Sequence, residues 1–533
     1  MHMANKSLAI ISAVLASTIS HNTLAAQTDI NVKLNSSVYG IESDIGTAQT
    51  KESAIFTVTP SLSGVVDGKA GDIALNVSHS MVSSSVKDAE TSHYSYSNVA
   101  LKSNLELIEN ALTFNLEGSQ NYRVFNQSEA FLNDSLTSPD SMSKVQRYAA
   151  GLKFTLPNPT LFGFTLDTKY SDSSSSRSQN NGSSLDNENF SVLTRVFNNK
   201  NFQKLLFDFS LNHQQTVRSG YSDFNSTLAS GNVKLEMLDG LRFVLKASDN
   251  RYDTEITEAN NPRQRIDNTI YGAGFELFSN ANRAVEITYN QIEQGEETKN
   301  FVGGAVRWAF SPRTSMFIDY GKRFYGDSYS MNFNYKAKSL RSNLTYREDV
   351  TTFARFGQSS GNDSAIFVCT IGAEDLSECF QAPGLDYILK PGEEFKSYDD
   401  IFSDLSNEVI LTKSARYVIG YDKRKLRISF DMGRRETEYL ESGRMQKYNS
   451  AGLDINYQMS RRTNFELATD FIRRAFDNLT STEDTYTIRL TANRKLGQNG
   501  NFNVGLRYLN RDSANEARDA TDKRINLGFN YQF

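Results

Sequence analysis

Beyond its first 26 residues the chain carries three histidines, His79, His93 and His213, and two cysteines, Cys369 and Cys379. His213 would be the candidate base of a hydrolase triad. No G-x-S-x-G, H-E-x-x-H or phosphate-binding glycine pattern accompanies it, so a nucleophile and its oxyanion donors cannot be assigned. C-x-x-C-H is also missing, as is any metal-ligand spacing of His, Cys and carboxylates. The expectation is a chain with no catalytic site, no metal and no cofactor.

Cys369 and Cys379 fall in the longest stretch without a strand pattern, from Val350 to Ser414. Outside the cytoplasm such a pair can oxidise. A bridge closing a loop of roughly 11 residues would contribute about 2 to 3 kcal/mol. A structural staple is the expected role, and a redox-active pair is the alternative. The long stretch either folds inward as a constriction or lies over a mouth, and the sequence does not choose.

The remaining chemistry is charge. Arg427, Asp431, Asp454, Glu466, Asp470, Arg489 and Arg507 stand among apolar residues at alternating positions. If those segments are extended, the seven share the side opposite the apolar one. Their signs are mixed, which argues against a tightly charge-selective pore. A solvated wall accounts for them, and a polar track for a hydrated polymer is the sharper reading. Three dibasic pairs, Lys322-Arg323, Arg434-Arg435 and Arg473-Arg474, end apolar-polar segments. Arg323, Arg435 and Arg474 are the expected contacts to lipopolysaccharide phosphates, through charge-assisted hydrogen bonds. Ordinary loop charge is the plainer account.

The elements that would carry these residues have a period of two. In "RINLGFNYQF", Ile525, Leu527, Phe529, Tyr531 and Phe533 project to one side, and Asn526, Gly528, Asn530 and Gln532 to the other. "NFNVGLRYL", "YTIRLTA", "AGLDINYQM", "LRISFDMG", "TIYGAGFELF", "LLFDFSL" and "DIALNVSHSM" repeat the pattern. One strand per pattern gives about 24 strands (range 22 to 26) of about 10 to 12 residues, the length that crosses an outer membrane when tilted. The fold class expected is therefore all-β, a transmembrane antiparallel β-barrel. A mean hydropathy of −0.49 is no objection, because only every second strand residue of a barrel meets lipid.

The segments are joined alternately by tight turns ("IEN", "LDG", "SPR", "AKS", "SRR") and by longer polar stretches such as 172–187, 251–266 and 512–522. Short turns on one rim and longer loops on the other is the layout of bacterial outer-membrane barrels. Trp308, Phe310, Tyr335, Tyr421, Tyr457, Tyr531 and Phe533 lie beside the tight turns and so should ring one rim. An even strand number would let the last strand pair with the first, near "DINVKLNSSVYGI", leaving no open edge.

At the other end, Lys6, "LAIISAVLASTI" and "NTLAAQTD" read as the basic, apolar and small-residue parts of a signal peptide over 1–26. Residues 27–533 then form a single barrel with a long extracellular loop at about 351–413, integral to the outer membrane after cleavage. With 57 basic and 62 acidic residues, nothing calls for nucleic acid as a partner.

"SRRTNFELATDFIRRAFDNLTSTEDTYTIRLTANRKLGQNGNFNVGLRYLNRDS", followed by "DKRINLGFNYQF", resembles the outer-membrane β-barrels associated with PEP-CTERM and exopolysaccharide systems. "TVTPSLSGVVDGKAGDIALNVSHS" is similar to an early strand-turn-strand of the same family. The resemblance implies a place near surface-polysaccharide synthesis or export, with outer-membrane lipid, lipopolysaccharide and polysaccharide export components as partners. A last strand ending in Phe533 also resembles the signal by which such barrels reach the barrel assembly machinery. A passive porin for small solutes and a structural sheath or adhesion barrel are the alternatives.

Overall fold

A computed structural model describes residues 26–533, except 47–49, 88–89, 125–135, 137–141, 177–185, 200–203, 220–222, 259–260, 279–281, 353–366, 371–378, 382–392, 397–408 and 477–480. The expected signal peptide lies outside the described residues, apart from Ala26. The strands of the first half are β1 (Gln27–Ile45), β2 (Lys51–Gly68), β3 (Gly71–Val86), β4 (Ser92–Ile108), β5 (Leu112–Val124), β6 (Met142–Thr155), β7 (Phe162–Ser175), β8 (Asn187–Asn198), β9 (Leu205–Arg218), β10 (Phe224–Leu238), β11 (Leu241–Glu258) and β12 (Asn261–Leu277). Then come β13 (Arg283–Gln294), β14 (Glu297–Ser311), β15 (Thr314–Arg323), β16 (Gly326–Lys336) and β17 (Leu340–Thr352). Three short strands follow, β18 (Phe367–Thr370), β19 (Cys379–Gln381) and β20 (Glu393–Lys396). The chain closes with β21 (Val409–Lys423), β22 (Leu426–Tyr439), β23 (Met445–Ser460), β24 (Thr463–Phe476), β25 (Ser481–Leu496), β26 (Gly500–Ser513) and β27 (Ala520–Gln532).

All but the three short strands join one 24-stranded antiparallel sheet, each strand beside its neighbour in sequence and β17 beside β21. The sheet closes because β1 pairs with β27, from Lys33 opposite Gln532 to Ile45 opposite Ala520. Closure satisfies every edge, which a sheet in lipid requires because no water is available to the free backbone groups.

Side-chain direction follows the two-residue rhythm. Ile525, Leu527 and Phe529 lie on the outer surface, and Leu527 keeps 47% of its area exposed there, while Asp522 and Arg524 of the same strand are buried inside. One rim, the turn end, carries the short connections. There Arg283 lies over the Trp308 ring at 5.1 Å, Trp308 meets Phe278 edge-on, and Tyr531 meets Phe533 with ring centroids 4.9 Å apart. Toward the other rim, the loop end, outward tyrosines mark a second belt. Tyr170, Tyr271 and Tyr320 donate hydrogen bonds to Glu188 (3.2 Å), Glu293 (2.5 Å) and Asp327 (3.1 Å), each carboxylate one step farther from the apolar band. Apolar ring inward and hydroxyl toward water is the orientation an interface selects.

Several expected boundaries move. The strands run from 10 to 19 residues, longer than the crossing itself needs. Residues 251–266 are mostly β11 and β12 rather than a loop, and β26 and β27 reduce the 512–522 stretch to a connection holding a 3₁₀ turn, Glu516–Arg518. The long connection begins after Thr352 and ends before Val409, which stand opposite each other. The loop end also has very short connections, residues 295–296 and 324–325. Each shift has one cause. Past the lipid boundary the backbone ladder continues, but no apolar face is needed, so the rhythm fades while the strand does not.

Candidate functional site in the barrel lumen

The inward residues near the turn end and the packed residues at the loop end build two different zones. Near the turn end they are charged and mutually paired. Lys234 of β10 reaches Glu276 of β12 at 2.6 Å and Glu286 of β13 at 2.7 Å. Arg242 also meets Glu276, at 3.1 Å, and Lys246 meets Glu286. Arg195 Nε donates to Asp208 Oδ1 at 2.9 Å between β8 and β9, both side chains open to the lumen.

On β22 to β26 the register puts Arg427, Asp431, Asp454, Glu466, Asp470, Arg489 and Arg507 on the inward-facing set. Asn456 and Asn464 donate to Glu466 Oε1 at 3.0 and 2.8 Å. Arg416 of β21 lies 3.7 Å from Asp431. A Cβ on Gly452 would crowd Asp431 on one side and Asp470 on the other, so the glycine is what lets these carboxylates share the wall. Arg489 stands opposite Arg507, and Arg507 opposite Arg524, which donates to Asp522 at 2.7 Å. Acidic groups thus concentrate on β22 to β24 and arginines on β25 to β27.

The dibasic pairs divide differently from expectation. Arg435 (7% exposed) and Arg474 (3%) are buried inside the barrel, against the two sides of Tyr448, with ring distances of 5.3 and 6.0 Å. Arg323 also turns inward, toward Tyr252, Glu348 and Asp349. These three therefore do not reach lipopolysaccharide. Strand alternation leaves the outward direction to the other member of each pair, Lys322, Arg434 and Arg473, and Arg473 is held by Asp484 at 2.6 Å.

Cys369 and Cys379 are directly opposite each other on β18 and β19, which with β20 form a small separate sheet. Direct antiparallel partners have Cα separations of about 4.5 to 5.5 Å, inside the range a disulfide spans. The rest of the long connection lies outside the described residues. His213 and His79 face outward, sharing hydrogen bonds with Thr227 (2.9 Å) and Ser97 (2.8 Å).

The second zone, at the loop end, is a packed core that the sequence reading missed. Phe224 of β10 is completely buried and clusters with Tyr252 of β11, Val350 of β17, and Val409 and Leu411 of β21. The β10–β11 pair and the β17–β21 pair are not adjacent, since β12 to β16 run between them. Leu228, Phe324, Tyr325 and Leu440 pack on the same cluster. Arg218, at the end of β9, meets Glu441 of the β22–β23 turn at 2.6 Å, and both side chains are buried. Strands far apart around the barrel therefore touch across part of the loop end. Ile41, Ile55 and Val82 form a second inward cluster, beside which Tyr94 donates to the Leu136 carbonyl at 2.8 Å. Tyr448, Ile472, Leu509 and Ala520 form a third.

One signal for this packing is in the sequence. Val409, Ile410 and Leu411 are consecutive apolar residues, and Val409 through Thr412 are all buried. A strand apolar on both sides must be covered on both sides, so this end of β21 could not face lipid on one side and water on the other. Tyr325, in the turn after β15, donates to Glu348 Oε2 at 2.9 Å, and Tyr346 donates to Glu348 Oε1 at 2.6 Å. Burial pushes the Tyr325 phenol up to about 12, with Glu348 adding to the rise against Arg323, so it keeps its proton and acts as donor.

Lipid-facing apolar belt, inward polar wall and closed ladder together define an outer-membrane-type β-barrel, here with a charged lumen and a packed cluster at the loop end. No protein-family model matches the chain, and no curated protein sequence matches it. Among solved structures, it is similar to the FrpB iron transporter of Neisseria meningitidis, with 10% identity, a TM-score of 0.45, and 95% of this chain and 82% of that chain covered. The siderophore receptor PirA of Pseudomonas aeruginosa shows 8% identity and a TM-score of 0.39, over 94% of this chain and 80% of that one. OccAB2 of Acinetobacter baumannii shows 12% identity and a TM-score of 0.29, over 95% and 98%.

Proposed function

We propose that this barrel is a gated conduit, or a docking scaffold, for a surface polysaccharide at the outer membrane. The carrying observation is the contrast along the lumen: a wall of paired charges and amides from the turn end, then a packed mouth at the loop end. Asn456, Asn464, Glu466 and Asn526 offer the donors and acceptors that a hydroxyl-rich polymer exchanges for its water. The neighbouring acidic and arginine rows carry opposite signs side by side, so the wall as a whole favours neither sign strongly. The resemblance of the C-terminal third to exopolysaccharide-system barrels points the same way, and brings export components and the barrel assembly machinery as partners.

A passive porin needs a standing aperture, and contact between Arg218 and Glu441 opposes one. The deciding experiment is deletion of the gene with assay of secreted polysaccharide. Loss of extracellular polymer with retention inside the cell is expected, and normal secretion would overturn the reading. In planar bilayers the purified protein should conduct rarely, whereas large steady currents blocked by small sugars would favour the porin.

A further inference from the structure

We infer that the β15–β16 hairpin is the moving leaf of the mouth, and that the barrel opens sideways beside it, at the level of the lipid headgroups. The inference deepens the conduit reading by supplying its gate. It starts from the backbone. The ladder between β14 and β15 ends at Gly304 opposite Tyr320, although β14 continues toward the loop end to Glu297. The ladder between β16 and β17 ends at Met331 opposite Tyr346, although β17 continues to Thr352. Beyond those rows the hairpin pairs only with itself, down to Arg323 opposite Gly326. The β11–β12 hairpin also outruns both its neighbours, but there the neighbours themselves end, whereas β14 and β17 both run on past the point where their pairing to the β15–β16 hairpin stops.

Tyr320, Tyr329 and Tyr346 stand in outward positions where these ladders stop. They belong to the tyrosine belt, so the break begins at the membrane surface and not in its hydrocarbon. What holds the tip is side chains. The Phe324 ring meets Tyr252 at a tilt with centroids 5.3 Å apart, the Phe324 carbonyl accepts from Gln294 at 3.3 Å, and Tyr325 is latched to Glu348 under the Lys413 ammonium. Swinging the tip outward would break these contacts and no sheet hydrogen bond on either flank. Gly321 follows directly on the last residue paired to β14, and a Cβ built there would meet nothing within 4 Å. Packing does not demand glycine at that position, and rotation about a hinge would use its freedom.

The test reads potassium chloride conductance of the purified full chain in planar bilayers, so it does not depend on what the cargo is. Tyr325→Phe and Glu348→Ala each remove the latch hydrogen bond and should raise open probability roughly five- to thirtyfold. A Gln294→Cys/Phe324→Cys pair should staple the tip to β13. Oxidised, it should silence openings in the Tyr325→Phe background, and reductant should restore them, with the chain lacking the added cysteines as control for Cys369 and Cys379. Heat-shifted gel mobility checks that each variant is folded. Should the latch variants fold poorly, the staple is applied in an Arg218→Ala chain, where openings should likewise vanish on oxidation. Unchanged open probability in the folded latch variants, or openings that persist through the staple, would overturn the inference. Gating as described with normal polysaccharide secretion in the deletion strain would instead remove the cargo assignment and leave the gate standing.

Discussion

Arg218 Nη2 and Glu441 Oε1 lie 2.6 Å apart across the mouth of the barrel, though β10 to β22 separate them along the sheet. No packing between neighbouring strands brings them together, so the ion pair reports the shape of the whole loop end. Breaking a buried pair by removing one partner costs about 3 to 5 kcal/mol. Glu441→Ala should therefore lower the unfolding midpoint and raise conductance. A double cycle with Arg218→Ala should give a coupling of about 0.5 to 3 kcal/mol. Purely additive effects would mean that the two groups do not interact in the membrane.

The direction of the strands is open to a direct check. Leu527 faces out and Asn526 faces in, one residue apart. Arginine at 527 should cost about 2 to 4 kcal/mol of folding stability in bilayers, and arginine at 526 far less. Equal effects in urea titrations would contradict the assigned faces.

Cys369 and Cys379 stand opposite each other in register. Mass spectrometry without reductant should show both blocked to alkylation, and reduction should release both. Removal of the bridge should loosen the loop sheet while leaving the barrel's midpoint nearly unchanged, because the two sheets are separate. Full alkylation of the unreduced protein would refute the staple.

Lys234 holds two carboxylates, Glu276 and Glu286, that are themselves almost fully covered. Lys234→Met keeps most of the side-chain volume and removes the charge. A loss of about 3 to 5 kcal/mol is expected, read from urea unfolding in detergent. A loss under about 0.5 kcal/mol, the range of ordinary surface substitutions, would show that lumen water screens the trio.

Alkaline pH should weaken the Tyr325 latch. The folded-state value, about 12, lies above the ordinary phenol value of about 10, so the fold prefers the protonated form. The stabilisation is complete below pH 10 and is lost as pH rises toward 12. Ultraviolet difference titration of the native chain against Tyr325→Phe should show one phenol ionising late. A tyrosinate that appears at the ordinary pH would remove this support for the latch.

The two-residue rhythm was enough to read an all-β barrel of about 24 strands and its closure through the last and first strands. Lipid enforces that rhythm residue by residue, so the information is local and survives in a single sequence. Where lipid ends the constraint ends, and residues 251–266 read as loop although their backbone remains paired. The packing of Phe224 and Tyr252 against Val350 and Leu411 at the loop end depends on strands far apart in the chain. The sequence by itself determined which side of each strand meets oil. Only the tertiary structure decided how the far walls meet, because that depends on the curvature of the whole closed sheet and not on any one segment.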